Sequence, residues 1–101
     1  MVAQGHTWSP LSITNDYLIN VILLDKIRID KRNLLVTIQP GVSISMLDKA
    51  LTKAGFCLPT NVILESVRYG GVIATGCHGA GWNNPCLSDW VERIKMINYE
   101  G

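Results

Sequence analysis

The segment Gln4-Gly-His-Thr-Trp-Ser-Pro10 surrounds one imidazole with a glycine and small hydroxyl side chains. Backbone N–H groups in such a turn can form a concave nest that binds an anion, and glycine lets a phosphate group approach the main chain closely. A solvated loop without a ligand is the alternative interpretation. On its own the segment fits both.

A second segment, Tyr69 to Gly81, contains five glycines and two alanines in thirteen positions. Side chains this small leave the backbone open to a flat or charged ligand. The last three glycines are spaced G-x-x-G-x-G, unlike the dinucleotide fingerprint G-x-G-x-x-G, and no Gly-Lys-Ser/Thr sequence follows as in a P-loop. Close packing of two elements is the alternative role for these glycines. Because Thr75 and His78 lie within the segment, we favour ligand binding.

Three cysteines, Cys57, Cys77 and Cys86, raise the question of a metal site or a thiol nucleophile. Adjacent Cys77 and His78 cannot easily converge on one tetrahedral zinc ion, and no C-x-x-C pair is present, so no metal site is predicted. Neighbouring side chains on an extended segment point apart, which disfavours proton transfer between Cys77 and His78. The odd number of cysteines excludes a complete disulfide framework and favours a reducing intracellular compartment.

A strand and a hairpin are predicted between the two segments. Tyr17 to Ile22 is short and rich in β-branched residues, which predicts a buried strand. Ile27 to Asp30 alternates apolar and charged residues, which predicts an exposed strand, and Asp30 to Asn33 forms a polar turn. Leu34 to Gln39 is predicted to be the strand that returns from this turn, and Pro40-Gly41 ends it. Residues 27 to 39 are therefore predicted to form a hairpin.

The clearest helix runs from Ser43 to Gly55, because apolar residues recur there on one face. Ser43 or Ser45 can cap its start, and Gly55 suits a left-handed C-cap. Residues 60 to 69 are predicted to be irregular. Val91 to Tyr99 alternates imperfectly and predicts a final strand, followed by a turn at the chain end. Strands, a hairpin and one helix predict an α+β unit.

Length and charge narrow the possible functions. A chain of 101 residues fits one small domain and is short for a complete redox enzyme. Its net charge of +1 provides no field that would gather nucleic acid. Neither a signal peptide nor a membrane span is predicted, since the longest apolar run, Tyr17 to Leu24, is interrupted by Asn20. Both ends look cut, so we expect a piece of a longer protein.

Taken together and in this order, the segments resemble the FAD-binding domain of the vanillyl-alcohol-oxidase and cresol-methylhydroxylase family. In that family a G-H-S-type loop precedes a strand, a hairpin, V-x-x-G-V, a helix L-x-x-L-x-x-x-G, a proline, and G-G-x-I-A-T-G-x-H-G. The corresponding parts here are Gly5-His6-Thr7, Tyr17 to Ile22, Val36 to Val42, Leu47 to Gly55, Pro59, and Gly70 to Gly79. Leu87 to Val91 and Asn98 to Gly101 continue the match. The resemblance spans nearly the whole chain and is closest to sugar-lactone oxidases, such as gulonolactone and arabinonolactone oxidases, and to alditol oxidases.

The resemblance implies that residues 1–101 are part of a PCMH-type FAD-binding domain, with a small strand-hairpin-helix unit and the start of the second FAD subdomain. It implies FAD as the cofactor and His6 as the candidate for covalent attachment, since a neutral imidazole can act as a nucleophile. The positions that match the two cofactor-contacting segments of the family are Gly5, His6, Thr7, Gly71, Ala74, Thr75, Gly76 and His78.

Three departures from the family pattern stand out. Thr7 replaces the usual serine, Arg68 occupies a position where a small hydroxyl residue is common, and the loop from Asn61 to Ser66 is shorter by about one residue. Arg68 could pair with a phosphate or signal a degraded site. The substrate domain and its catalytic residues are expected outside these 101 residues, so no catalytic residue is predicted here.

The expected function is oxidation of a hydroxyl carbon of a small-molecule substrate, a sugar lactone or polyol, with electrons passing to FAD and then to O₂. The 101 residues alone are expected to be inactive, because catalysis needs a positioned base and substrate contacts. Two alternatives remain open. One is a truncated relic of this fold that no longer binds flavin, and the other is a non-covalent FAD dehydrogenase of the same fold.

Overall fold

The computed structural model describes residues 1–101 and has an α+β architecture, as the sequence predicts. A two-stranded antiparallel sheet precedes two helices, and single 3₁₀ turns lie near the two ends of the chain. The elements are β1 (Ile27–Asp30), β2 (Leu35–Ile38), α1 (Ile44–Ala54) and α2 (Tyr69–Ala74), with 3₁₀ turns at Pro10–Ser12 and Leu87–Trp90. None of the helices has the length and apolar character needed to cross a membrane.

The predicted hairpin is confirmed: β1 pairs with β2 in a register that sets Ile27 opposite Ile38 and Asp30 opposite Leu35. Its turn is held by the Asp30 carboxylate, which accepts hydrogen bonds from the backbone N–H of Arg32 and from both the backbone and the side-chain amide of Asn33. These bonds, led by the one from the Asn33 side chain, hold the pKa of Asp30 below its usual range. The Asp-Asn pair thus forms the polar turn.

Helix α1 is confirmed with both predicted caps. The Ser43 hydroxyl, and not that of Ser45, accepts a hydrogen bond from the N–H of Met46 at 3.1 Å. At the other end Gly55 adopts φ 84°, a left-handed conformation that a residue with a Cβ rarely takes. Its apolar face is buried through Ile44, Leu47 and Leu51, which anchors α1 to the rest of the fold.

Helix α2 lies within the glycine-rich segment, where the sequence predicts no helix. The N–H of Tyr69 donates to the carbonyl oxygen of Val42, and that of Gly70 donates to Pro40. A Cβ on Gly70 would lie 2.8 Å from the Cβ of Pro40, so only glycine permits this approach. Tyr69 and Val72 are the buried residues of α2. The short helix is therefore stabilised by tertiary contacts, since glycine is a poor helix former.

One core joins α1, α2 and the second 3₁₀ turn, with partly buried hairpin residues packed against it. Gly41 is buried beside it, and the position requires glycine because a Cβ there would collide with the carbonyl oxygens of Val21, Ile22 and Leu24. The buried members of the core are Val42, Ile44, Leu47, Leu51, Tyr69, Val72 and Leu87. This core fixes the start of the glycine-rich segment.

Two predicted strands are wrong. Tyr17 to Ile22 contains an exposed tyrosine, 98% accessible, and makes a single bridge between Asn20 and Val2. Val91 to Tyr99 has no ladder partner, although the predicted turn at the chain end is present, with the Gly101 N–H donating to Asn98. Suitable residue types do not make a strand unless a neighbouring strand accepts their backbone hydrogen bonds.

Candidate functional site

The loop Gly5–Thr7 has a free backbone. Gly5 adopts φ 74°, and no atom lies within 4 Å of the position where a Cβ would stand. The N–H groups of Gly5, His6 and Thr7 donate no hydrogen bond within the chain, whereas the Thr7 hydroxyl donates to the carbonyl oxygen of Ser9 at 3.2 Å. Three consecutive unpaired N–H groups, of which the first belongs to a left-handed glycine, can bind an anion.

Two hydrogen bonds hold this loop beside the segment that leads into α2. The His6 Nε2 lies 3.2 Å from the Ser66 Oγ, and the Arg68 Nε donates to the Gln4 Oε1 at 3.2 Å. Both bonds join residues on either side of the hairpin and α1. The structure therefore places the first segment, which contains the Gly5–Thr7 loop, beside the start of the second segment at Tyr69.

One exposed face of α2 consists of small residues. Gly71, Ala74 and Thr75 are three and four positions apart, so they share a face of the helix, and all three are exposed. Nothing lies within 4 Å of a Cβ position on Gly71. The Thr75 hydroxyl donates to the Gly71 carbonyl oxygen at 2.9 Å, so its proton is already used. The face carries no bulky side chain, and the Thr75 hydroxyl can offer a ligand only its oxygen as an acceptor.

The chain bends away from the helix at Gly76, which has φ 62° and an open Cβ position. Beyond it, the His78 Nδ1 lies 2.9 Å from the carbonyl oxygen of Gly79. A carbonyl oxygen only accepts, so Nδ1 carries the proton and Nε2 of the neutral ring is an acceptor. His78 is exposed and makes no hydrogen bond with the Gly5–Thr7 loop, so the structure does not join it to that loop directly.

The glycines of the second segment divide into two groups. A Cβ on Gly70 would collide with Pro40, one on Gly79 with Thr60 and Asn61, and one on Gly81 with the side chain of Asn84. Gly71 and Gly76 face open space instead. Close packing therefore explains part of the glycine content, and the remainder lies where a ligand has access.

Sequence reasoning missed two side chains of the site. Ser66 gave no signal, because a single serine in an irregular loop has no periodicity or motif. Arg68 stood out only as a departure from the family pattern, and its partners could not be foreseen. Its Nη1 donates to the Gly41 carbonyl oxygen at 3.0 Å, and it also contacts the Met46 Sδ at 3.4 Å.

The cysteines are all free thiols, and no group of three or more His, Cys, Asp or Glu residues is placed to hold a metal ion. The Cys77 Sγ lies 3.2 Å from the Thr75 Oγ1. Because the Thr75 proton is directed to Gly71, the thiol of Cys77 is the donor in this contact. Cys77 thus helps to fix the end of the small-residue face.

A family model described as an FAD binding domain matches residues 1–101. The chain belongs to this family. It is 28% identical over its whole length to the L-gulonolactone oxidase of Scyliorhinus torazame. It is 27% identical over 95% of its length to the mitochondrial L-galactono-1,4-lactone dehydrogenase of Arabidopsis thaliana. It is 26% identical over 99% of its length to the D-arabinono-1,4-lactone oxidase of Candida glabrata. The chain spans 16–23% of the length of these curated relatives. No solved structure matches it.

The site fits the cofactor of the FAD binding domain family. FAD combines a diphosphate, which needs N–H donors or positive charge, with a flat ring system that needs a surface free of bulky side chains. The unpaired N–H groups of the Gly5–Thr7 loop suit the first, and the face formed by Gly71, Ala74 and Thr75 suits the second. FAD is therefore the cofactor that this domain binds.

Proposed function

We propose that residues 1–101 form the cofactor-holding part of a longer flavin-dependent oxidoreductase, which oxidises a hydroxyl carbon of a sugar lactone or polyol. The observation that carries this proposal is the joining of the two small-residue segments by the His6–Ser66 and Gln4–Arg68 hydrogen bonds, in a chain of the FAD binding domain family. The names of the relatives, which are lactone oxidases and dehydrogenases, support the substrate class.

Each part of the site has a proposed role. The backbone N–H groups of Gly5, His6 and Thr7 bind the diphosphate, and the face of Gly71, Ala74 and Thr75 lies against the cofactor. Gly76 and His78 extend that face. The bound flavin supplies the hydride acceptor, and the protein orients it and excludes competing reactions.

His6 is the candidate for covalent attachment of the flavin. Its Nε2 is held by the Ser66 hydroxyl, whereas Nδ1 has no hydrogen-bond partner in the chain. An imidazole that is oriented by one nitrogen and open at the other can act as a nucleophile when neutral. His78 is also held at one nitrogen, through its Nδ1 contact with the Gly79 carbonyl oxygen, but it makes no hydrogen bond with the Gly5–Thr7 loop. His6 is preferred because it occupies the position that matches the attachment histidine of the family.

The proposed electron acceptor is O₂. A dehydrogenase that passes electrons to another acceptor is the second candidate, because the relatives include L-galactono-1,4-lactone dehydrogenases as well as oxidases. Bleaching of the bound flavin by candidate lactones and polyols under nitrogen, followed by admission of air, separates the two. Rapid return of the yellow colour with uptake of O₂ supports the oxidase, and a slow return supports the dehydrogenase.

The experiment that tests the cofactor site uses the protein produced from the complete gene. The visible spectrum is recorded before and after acid precipitation and washing, for the wild type, His6→Ala and the matched control His78→Ala. We expect yellow pellets from the wild type and from His78→Ala and a colourless pellet from His6→Ala. A wild-type protein that stays colourless after addition of FAD would overturn the proposal, and a yellow His6→Ala pellet would exclude attachment through His6.

A further inference from the structure

The guanidinium group of Arg68 connects three separate segments of the chain. Its Nε donates to the Oε1 of Gln4 at 3.2 Å, and its Nη1 donates to the carbonyl oxygen of Gly41 at 3.0 Å and contacts the Sδ of Met46 at 3.4 Å. These partners lie 64, 27 and 22 residues away along the sequence. Arg68 is partly buried, so its position is set by these contacts more than by solvent.

Two of the three contacts attach Arg68 to the rigid part of the fold. Gly41 is buried against the turn formed by residues 21–24, and its N–H donates to the Leu24 carbonyl oxygen at 2.8 Å. Met46 belongs to the first turn of α1. The third contact reaches Gln4, the residue before the Gly5–Thr7 loop. The guanidinium is thus fixed by the core at one edge and holds the loop at the other.

The loop has few other attachments. Val2 pairs its backbone with Ile19 and Val21, and His6 contacts Ser66, but Gly5, His6 and Thr7 donate no backbone hydrogen bond. A planar guanidinium donates in several fixed directions, which the single ammonium of lysine cannot reproduce. Arginine is therefore suited to hold Gln4 and the carbonyl oxygen of Gly41 at the same time.

We infer that Arg68 is a positioning residue that holds the Gly5–Thr7 loop beside α2 through Gln4, so that both halves of the FAD site are assembled before the cofactor binds. The inference rests on the proposed function. A loop that is ordered in advance loses less conformational freedom on binding, so the hydrogen bond between Arg68 and Gln4 increases the affinity for FAD without touching the cofactor. The Nε and Nη1 donors of Arg68 are occupied by protein acceptors on three segments, which favours a positioning role for this side chain.

The test is a double-mutant cycle on the protein from the complete gene, with FAD affinity measured by titration calorimetry on the apoprotein. Gln4→Ala removes only the contact between Arg68 and the loop, and Arg68→Lys replaces the planar guanidinium by a single ammonium group. We expect each single variant to bind FAD about fivefold more weakly, the effect of one hydrogen bond, and the double variant to be no weaker than Arg68→Lys alone. Gln4→Glu in the Arg68→Lys background should restore part of the affinity by an ion pair. Arg28→Lys, on the exposed side of β1, is the matched control and should bind as the wild type.

A second measurement reports on the loop without FAD. Trp8 follows the loop and is fully exposed, as are Tyr17 and Trp82, so chymotrypsin cleavage after Trp8 can be compared with cleavage at these two reference sites. We expect Gln4→Ala and Arg68→Lys to accelerate cleavage after Trp8 relative to Tyr17 and Trp82. A wild type that binds no FAD overturns the proposed function, and the accelerated cleavage then decides the role of Arg68 alone. If the double variant binds FAD more weakly than either single variant by the product of the two effects, the positioning role is overturned. Unchanged cleavage after Trp8 overturns it as well.

Discussion

The His6 imidazole and the Ser66 hydroxyl lie 3.2 Å apart, Nε2 to Oγ, although 60 residues separate them in the sequence. Both side chains are exposed, so the contact is not forced by core packing. It restricts rotation of the imidazole and leaves Nδ1 open. Ser66 therefore selects one orientation of the residue that we propose for flavin attachment.

Substitution of Ser66 by alanine should slow the attachment of flavin to His6. Loss of one hydrogen bond to an exposed ring removes about 1 kcal/mol of orienting energy, equivalent to about fivefold in rate. The measurement is the growth of acid-stable yellow colour after FAD is added to the apoprotein. Ser66→Thr keeps the hydroxyl and serves as the control. Equal rates for the wild type and Ser66→Ala would show that the contact does not contribute to attachment.

Adjacent glycines at the start of α2 should respond in opposite ways to a side chain. A Cβ on Gly71 meets nothing within 4 Å, so Gly71→Leu should leave the stability nearly unchanged while its side chain occupies the proposed cofactor face. We expect FAD affinity to fall by about 5- to 150-fold, since forced overpacking costs about 1–3 kcal/mol. Titration with FAD and urea unfolding measure the two quantities.

The neighbouring Gly70→Ala is the matched variant. Its new Cβ would stand 2.8 Å from the Cβ of Pro40, a rigid residue, so we expect a loss of about 1–3 kcal/mol in unfolding free energy. FAD affinity should change little where the variant is folded. If Gly71→Leu bound FAD as the wild type does, the exposed face of α2 would not be part of the cofactor site.

The local elements could be predicted from the sequence because their determinants are local. Asp30 and Asn33 make the hairpin turn by themselves, and Ser43 and Gly55 cap α1 as their residue types suggest. The prediction of a strand at Tyr17–Ile22 was wrong because the composition of a segment does not determine whether a neighbouring strand is present to pair with it.

The candidate site was predictable only in part. The Gly5–Thr7 loop and the small residues of the second segment could be found from their composition and order. The contacts that join them could not be predicted, because Ser66 belongs to no motif and nothing in the first segment indicates that Gln4 would bind Arg68. The partners of Ser66 and Gln4 are 60 and 64 residues away in the sequence. Helix α2 was missed for a related reason: its glycines disfavour a helix, and its bonds to Pro40 and Val42 outweigh that preference.

Ser43 should contribute measurably to stability through its cap. Its hydroxyl accepts the hydrogen bond from Met46, so Ser43→Ala should lower the unfolding free energy by about 1 kcal/mol. Ser45 lies two residues further and makes no cap, so Ser45→Ala is the control and should change the free energy by less than about 0.5 kcal/mol. Urea unfolding of the two variants compares them directly. Equal losses would mean that the hydroxyl of Ser43 is not the cap in solution.

Tyr69 should make the fold sensitive to alkaline pH. Its side chain is 4% exposed, and burial, aided by the negative charge of Asp48, raises its pKa to about 12 against the partial opposition of a hydrogen bond to Asn61. The unfolded chain releases this proton near pH 10, two units earlier. Between these values the unfolded state binds fewer protons, so the unfolding free energy decreases as pH rises and the contribution is fully present only below about pH 10.

The unfolding free energy is expected to fall by roughly 3 kcal/mol between about pH 10 and 12 because of this residue. Urea unfolding at a series of pH values should therefore show that the unfolding free energy of the wild type declines over this range. The decline in Tyr69→Phe should be smaller by this amount, because phenylalanine has no proton to release. The variant itself should lose little stability at neutral pH, since the Tyr69–Asn61 hydrogen bond is long at 3.4 Å. Parallel declines in the two proteins would show that the Tyr69 hydroxyl reaches water, and that the start of α2 is less tightly held against the core than its contacts indicate.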